Sequence, residues 1–236
     1  MNITSAASFI LATLAPTFAF AGGTVFDAAN VDFESDDNGL LSAGQTNLDF
    51  SSVGLVSISF IPTGAYNGGN FDPGQLLPMV FDTNNPTGND GDLLTPSAQV
   101  LVDLGNVLII SEDNDSSDPD DLAGGGVLRF VFDQLVSFDE LGILDNEESD
   151  SRAIGSAGGV EIFNTAIPGG ADGNYQVLAL PEAPIDTLDV LFDGSGAVAL
   201  LSYKSTSVPE PGVYGAVGII VIGLTVLRRR RQGISS

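Results

Sequence analysis

The chain has 236 residues, of which 31 are acidic and seven are basic, so its formal net charge is −24. It contains no cysteine, histidine or tryptophan, which excludes disulfides, thiolate or imidazole metal sites, cysteine nucleophiles and Ser-His-Asp triads. Carboxylates, amides and hydroxyls remain, and these groups bind hard cations or act as carboxylate pairs. The acidic surface repels nucleic acid, so we expect no nucleic-acid partner.

The N-terminal residues 1–21 are typical of a secretory signal peptide. An apolar stretch runs from Ala6 to Phe20, and Ala19-Phe20-Ala21 is a small-x-small cleavage site before Gly22. Pro16 and the two glycines that follow the stretch make a buried first helix a poor alternative. The sequence therefore predicts export, with the mature chain beginning near residue 22.

The central region, residues 22–204, is predicted to be one all-β domain. Apolar residues alternate with polar ones, as in Val56-Ser57-Ile58-Ser59-Phe60, and no stretch has a helical period. Glycine-rich turns punctuate the region, and Asp193-Gly194-Ser195-Gly196 indicates a hairpin between its two flanking strands. The predicted strands are 25–33, 46–50, 56–60, 78–82, 99–103, 106–111, 127–133, 135–144, 160–164, 174–180, 187–192 and 197–203. This number of short strands favours a single antiparallel β-sandwich with a jelly-roll-like topology.

Dense acidic loops between these strands are candidate calcium sites. Alternating Asp and Asn side chains in a turn can supply several oxygens to one hard cation, and a divalent ion relieves the repulsion between crowded carboxylates. The candidate ligands are Asp113, Asp115, Asp118, Asp120 and Asp121 in one loop and Asp82, Asp90 and Asp92 in another. A third acidic run occupies residues 145–150. For all three runs the alternative is a solvated turn whose Asp and Asn side chains bond to their own backbone.

Two aromatic residues flank a glycine-rich loop and are candidates for sugar contacts. Tyr66 and Phe71 lie on either side of residues 67–70, although packing at a strand edge is an equally simple role for them. A calcium-dependent carbohydrate-binding module is therefore one alternative function. A glycoside hydrolase that uses a carboxylate pair is another, but no particular pair is singled out by the sequence.

The C-terminal residues 205–236 form a spacer followed by three features in a fixed order. Pro209-Glu210-Pro211 precedes an apolar segment from Gly212 to Leu227, and four arginines, Arg228 to Arg231, follow it. Sixteen helical residues span about 24 Å, slightly less than the hydrocarbon core of a bilayer. The arginines favour a cytoplasmic end, which places the central region outside the cytoplasm.

This tail resembles the PEP-CTERM sorting signal of exported proteins in Gram-negative bacteria. The resemblance rests on Pro209, Glu210 and Pro211, the apolar segment, and Arg228, Arg229, Arg230 and Arg231. It implies recognition and removal of the tail by an exosortase, a transient hold in the inner membrane, and a destination at the cell surface or in an exopolysaccharide matrix. The central region is more loosely similar to a class of secreted β domains that carry this tail. We therefore expect a non-enzymatic envelope protein that is stabilised by calcium and associated with exopolysaccharide.

Overall fold

The computed structural model describes residues 28–63 and 76–206, and this part of the chain is all-β. Its twelve strands are β1 Ala29–Val31, β2 Ser35–Asp36, β3 Gly39–Leu40, β4 Leu55–Ile61, β5 Pro78–Asp82, β6 Asn106–Ile110, β7 Gly126–Leu144, β8 Arg152–Ala157, β9 Val160–Ala166, β10 Tyr175–Ala179, β11 Ile185–Phe192 and β12 Ala197–Ser205. Two short 3-10 turns, Ser51–Val53 and Gly91–Leu93, occur among the described residues, where no α-helix is found.

Ten of these strands form one large antiparallel sheet, organised around the long strand β7. The first part of β7, up to Phe132, pairs with β4 on one side and with β11 on the other. The second part, from Val136, pairs with β12 and β10. Strands β6 and β5 extend the sheet beyond β12, and β8 and β9 extend it beyond β11. The strand β7 therefore belongs to two half-sheets, and its partners change between Phe132 and Val136.

The two half-sheets bury their inner faces in one hydrophobic core. In the first part of β7, Leu128, Phe130 and Phe132 are buried and alternate with less buried residues, because successive side chains of a strand point to opposite faces. They share a cluster with residues of the other half-sheet, and the ring of Phe132 lies 4.9 Å from that of Tyr203 on β12. The described residues are thus consistent with a β-sandwich, and the jelly-roll-like topology stays a prediction.

A second, smaller core lies on the outer face of the half-sheet formed by β5, β6, β12 and β7. Met79 and Ile109 lie in this cluster, whereas their neighbours Val80 and Leu108 lie in the main core. The residues between β5 and β6 cover this outer face, with Leu93 buried against it. Burial on both faces explains why β5 and β6 are continuously apolar. The connection between β5 and β6 also contains polar residues that lie at one end of the sheet.

Several predicted strands match the structure, and others do not. The predicted strand 78–82 coincides with β5, and the two predicted strands 127–133 and 135–144 are parts of β7. Residues 46–50 and 99–103 form no named strand, and β8 was not predicted. The prediction of a hairpin at residues 193–196 is wrong, because β11 and β12 pair with different parts of β7 and not with each other.

The glycine pair Gly158-Gly159 makes a true two-residue hairpin between β8 and β9. Ala157 pairs with Val160, and the two glycines have φ values of 57° and 78°. Positive φ at both central residues is the geometry that joins tightly paired antiparallel strands, and glycine adopts it readily.

The predicted terminal signals lie outside the described residues. This holds for the signal peptide of residues 1–21, for Pro209, Glu210 and Pro211, and for Arg228 to Arg231. Among the residues that the structure describes, no helix is long and apolar enough to cross a membrane. The division of the chain into a signal, a domain at 22–204 and a tail stays a prediction.

Candidate cation site and adjoining groove

Three aspartates from separate connections meet at one end of the large sheet. Asp92 lies in the 3-10 turn before Leu93, Asp145 directly follows β7, and Asp172 lies in the turn before β10. Carboxylate oxygens of these three residues all lie within 4.8 Å of one another. We call them the aspartate triad. The spacing fits one calcium ion, whose oxygen ligands lie at about 2.3–2.6 Å and so are separated by up to about 5 Å across the ion.

The carboxylate of Asp145 is the buried member of the triad, with only 1% of its surface exposed. The backbone N–H of Gly173 donates to its Oδ1 at 2.7 Å, and the hydroxyl of Ser195 donates to its Oδ2 at 3.2 Å. Burial raises the pKa of Asp145, and the nearby charge of Asp92 raises it further, whereas the bond from Gly173 lowers it. A cation at the triad would offset the loss of hydration that this burial imposes.

Two further carboxylates, those of Asp90 and Asp121, lie close enough to the triad to interact with its charges. The backbone N–H of Asp121 donates to Oδ2 of Asp90 at 2.6 Å, and the backbone N–H of Gly196 donates to Oδ2 of Asp121 at 2.8 Å. Burial, followed by the charge of Asp90 and then that of Asp145, raises the pKa of Asp121 well above its ordinary value. Burial also raises the pKa of Asp90 to about 7. This end of the sheet therefore concentrates negative charge.

Basic side chains do not neutralise this charge within the described ranges 28–63 and 76–206. Arg129 forms a bidentate pair with Asp189 at 2.7 Å, and Lys204 contacts Asp139 at 2.9 Å. The guanidinium of Arg152 donates to Asn164 at 3.3 Å. These are the basic residues of the described part, and each bonds away from the triad.

The structure brings some of the predicted calcium ligands together and separates others. Asp92 belongs to the triad, and Asp90 and Asp121 interact with its charges. Asp120 is half-buried, and burial together with the charge of Asp113 raises its pKa to about 6. All eight predicted ligands remain untested as metal contacts.

Among the remaining predicted ligands, Asp82, Asp113 and Asp115 have local hydrogen bonds typical of turns, whereas Asp118 bonds to a distant connection. Oδ1 of Asp113 accepts the N–H of Asp115, and Oδ1 of Asp115 accepts the N–H of Ser117. Oδ1 of Asp118 accepts the N–H of Gly88 at 2.9 Å. Asp82 similarly accepts from the backbone of the residue two positions later. The local contacts of Asp82, Asp113 and Asp115 fit the alternative interpretation of the acidic loops as self-bonded turns.

Two of the three triad members were not among the candidate ligands. Asp145 lies in the third acidic run, whose local crowding was the only signal for it. Asp172 stands in a turn with no acidic neighbour, between Ala171 and Gly173. No local pattern pointed to Asp172, because its partners are distant in the sequence.

A groove of about 530 Å³ lies on the outer side of the sheet, where part of its lining belongs to the smaller core. Residues from four segments meet there, namely the β1–β2 connection, the β5–β6 connection, β10 and β12. Asp172 of the triad lies in the turn before β10, and Tyr175, the first residue of β10, lines the groove. The lining residues are Asp32, Glu34, Asn84, Asp103, Leu104, Gly105, Tyr175, Ala199 and Leu200. The groove thus combines an aromatic and aliphatic wall with carboxylate and amide groups.

The predicted sugar-contact residues Tyr66 and Phe71 lie in the segment 64–75, outside the described residues. The groove contains a different aromatic residue, Tyr175, whose phenol has a pKa raised by burial and by the charge of Glu140. Neither Tyr66 nor Phe71 is placed near it or away from it, so their proposed role stays a prediction.

Comparisons with known proteins identify no family for this chain. No protein-family model matches the chain, and no curated protein matches it in sequence. A histidine mutant of the lectin binding domain of lectinolysin, complexed with Lewis b, shares 6% identity at a TM-score of 0.30, covering 36% of this chain and 68% of its own. A fucose-binding module from Streptococcus pneumoniae shares 14% identity at a TM-score of 0.28, covering 43% and 73%. Similarity at this level does not establish a shared fold, and no argument below rests on it.

Proposed function

We propose that this chain is a non-enzymatic, exported binding or matrix protein whose β domain is stabilised by calcium at the aspartate triad. The observation that supports the proposal is the convergence of Asp92, Asp145 and Asp172 within 4.8 Å. Carboxylate oxygens are the ligands that calcium prefers, and sites for this ion use six to eight oxygens, including backbone carbonyls and water. The backbone N–H of Asp145 is bonded to Asn174 at 2.8 Å, so the strand end and the turn that carry two of the ligands are already joined.

Calcium would act on this protein through linkage between binding and folding. An ion that binds only the native state stabilises it by about 2.7 kcal/mol when its concentration is a hundred times its dissociation constant. For a domain of this size that corresponds to a rise in melting temperature of about 5–10 °C. The gain depends on the triad being assembled, because its three members come from connections that are far apart in sequence.

A thermal melt of the purified protein, at fixed ionic strength, tests the cation site. We expect calcium to raise the melting temperature more than magnesium does, and a chelator to reverse the rise. The variant Asp172→Asn should lose the calcium-specific shift. The matched control Glu161→Gln removes one exposed charge on β9 and should keep it. Equal shifts in the wild type and in Asp172→Asn would contradict the proposal.

The route of export is a separate part of the proposal. The resemblance of the tail to a PEP-CTERM signal supports transient membrane anchoring, recognition by an exosortase and release to the cell surface or the matrix. Mass spectrometry of the secreted protein tests it. The wild-type protein should have lost the tail, whereas replacing Pro209, Glu210 and Pro211 with alanine should leave the chain full length. A wild-type protein that keeps its tail through secretion would contradict processing.

Calcium-dependent carbohydrate binding is a second candidate function, and one structural link favours it. The turn that carries Asp172 in the triad leads directly to Tyr175 in the groove. A cation that orders this turn would also position the aromatic wall on which a sugar ring can lie. Glycan affinity that disappears with a chelator would support this function. Turnover of a polysaccharide, abolished by one carboxylate substitution in a folded protein, would contradict a non-enzymatic role.

A further inference from the structure

The chemistry of the groove selects a class of ligand. Three carboxylates, Asp32, Glu34 and Asp103, line it together with the single amide of Asn84, and its lining includes no lysine or arginine. An anionic ligand would be repelled by these groups and by the acidic surface around them. A ligand of this groove must therefore donate hydrogen bonds and carry little negative charge.

The three carboxylates are held in place by backbone groups. Oδ1 of Asp32 accepts the N–H of Glu34 at 3.2 Å, and Oε1 of Glu34 accepts the N–H of Asn106 at 2.6 Å. Oδ1 of Asp103 accepts the N–H of Gly105 at 2.9 Å. These bonds use one oxygen of each carboxylate, so the second oxygen can accept a bond from a ligand. Fixed acceptors lose less conformational entropy on binding than mobile ones.

The amide of Asn84 strengthens the acceptor character of the groove. Its Nδ2 donates to Oδ1 of Asp103 at 3.0 Å, so this donor is already occupied. Apart from the Tyr175 phenol, Asn84 has the only neutral polar side chain in the groove lining. The groove therefore offers mainly acceptors, and the best complement to such a site is a group that only donates. A primary ammonium has three donors and no acceptor.

The apolar side of the groove is formed by Tyr175 lying against the sheet. A Cβ atom at Gly142 would stand 2.9 Å from the Tyr175 hydroxyl and 2.8 Å from Cβ of Leu200. The glycine thus leaves the space that the tyrosine side chain occupies over β7 and β12. An aromatic face attracts a cation and also packs against the carbon atoms of a ligand.

We propose that this groove binds a protonated primary amine, with the ammonium bonded to a carboxylate of its lining and the carbon frame of the ligand against Tyr175. An ammonium neutralises the charge of a carboxylate that it contacts, whereas a hydroxyl donates or accepts a hydrogen bond without neutralising charge. The frame can be an amino sugar or an aliphatic amine. For an amino sugar the inference deepens the carbohydrate-binding function proposed above and rests on it.

Isothermal titration of the purified full-length protein in calcium buffer tests the proposal. Salt at about 150 mM screens non-specific attraction between the amine and the acidic surface. The probes are a glucosamine oligomer, the same oligomer fully N-acetylated, and spermidine. We expect the free-amine oligomer to bind and its neutral counterpart to bind at least about tenfold more weakly, because a charge-assisted bond is lost.

Two variants locate the binding in the groove. Asp103→Asn keeps an oxygen for the N–H of Gly105 but removes a charge, and it should weaken amine binding by about tenfold. Glu161→Gln removes one charge from β9, a strand outside the groove lining, and should leave the affinity unchanged. Tyr175→Leu should weaken binding while calcium still raises the melting temperature.

Each outcome separates this inference from the functions proposed above. Spermidine binding without glycan binding supports the amine site and contradicts the carbohydrate-binding function. Equal binding of both oligomers supports a neutral glycan site and overturns the amine assignment. Amine binding that Asp103→Asn and Glu161→Gln reduce equally is attraction to the acidic surface and overturns the site, as does the absence of binding by all three probes. The calcium melt is independent of all these results.

Discussion

Two kinds of carboxylate in this protein differ in their surroundings. Asp115 is exposed, and hydrogen bonds from Ser117 lower its pKa. Asp121 and Asp145 are buried and have pKa values raised by that burial. A carboxylate of the first kind accepts hydrogen bonds from donors within its own turn. A nearby cation would stabilise the ionised form of the second kind, because burial removes the water that would solvate the charge.

At the residue scale we predict opposite effects of Asp145→Asn with and without calcium. In chelator the variant should be more stable than the wild type, because a buried charge is removed and an amide oxygen can still accept from Gly173. In calcium the variant should lose most of the stabilisation of about 2.7 kcal/mol expected for the wild type. Urea unfolding in both buffers measures the free energy of unfolding of the variant and the wild type, and the difference should change sign between the two buffers. A variant destabilised equally in both would indicate a purely structural role for Asp145.

At the scale of elements, the long strand β7 organises the molecule. Its nineteen residues from Gly126 to Leu144 contribute to both half-sheets, and its end delivers Asp145 to the triad. The same end brings β7 beside β10 and β12, whose first residues follow the turns of Asp172 and Ser195. Strand pairing therefore assembles the site, because it fixes where each of these connections begins or ends.

A prediction at this scale concerns the hairpin between β8 and β9. At Gly159, φ is +78° and an added Cβ meets nothing within 4 Å, so Gly159→Ala should destabilise the protein through backbone strain alone, by about 1–2 kcal/mol. Gly91→Ala is the matched control, since a Cβ there also meets open space and its φ is not left-handed. Urea unfolding in chelator should show a loss for Gly159→Ala only. Equal losses would contradict the assigned turn geometry.

Over the whole molecule, buried carboxylates determine how stability changes with pH. Burial raises the pKa of Asp90 to about 7 and that of Asp120 to about 6, and it holds that of Asp121 well above the ordinary 3.8. The folded protein therefore binds more protons between about pH 4 and pH 7 than the unfolded chain does. Stability must fall as the pH rises through this window.

We expect the melting temperature in chelator to decrease steadily from pH 5 to pH 7.5, and calcium to remove most of the decrease, because a bound cation replaces the protons. Aspartates with lowered pKa values, such as Asp37 with its bonds from Ser52, act in the opposite direction. Their stabilisation is lost only as the pH falls below about 4. Differential scanning calorimetry across the range measures the slope. A melting temperature in chelator that stays constant or rises from pH 5 to pH 7.5 would contradict the raised pKa values of the buried carboxylates.

The sequence alone was sufficient for the all-β class and for several strands. Alternation in β7 and the apolar run of β5 reflect which faces are buried, and that pattern is local. It was insufficient for residues 46–50 and 99–103, which form connections and not paired strands, with Phe50 and Val100 buried but Leu101 and Val102 exposed. It also misjudged the turn at residues 193–196, because turn chemistry permits a hairpin without specifying the partner strand.

The sequence by itself determined the acidic character of the protein, its dependence on oxygen chemistry and the expectation of export, since these follow from composition and from contiguous signals. Only the tertiary structure decided which carboxylates meet. Asp92, Asp145 and Asp172 belong to three connections, and the paired strands between them bring those connections to one end of the sheet. The groove has the same origin, since Asp103 and Tyr175 come to line one groove through the pairing of distant strands. Local patterns report burial and turns, whereas a binding site depends on contacts between distant segments.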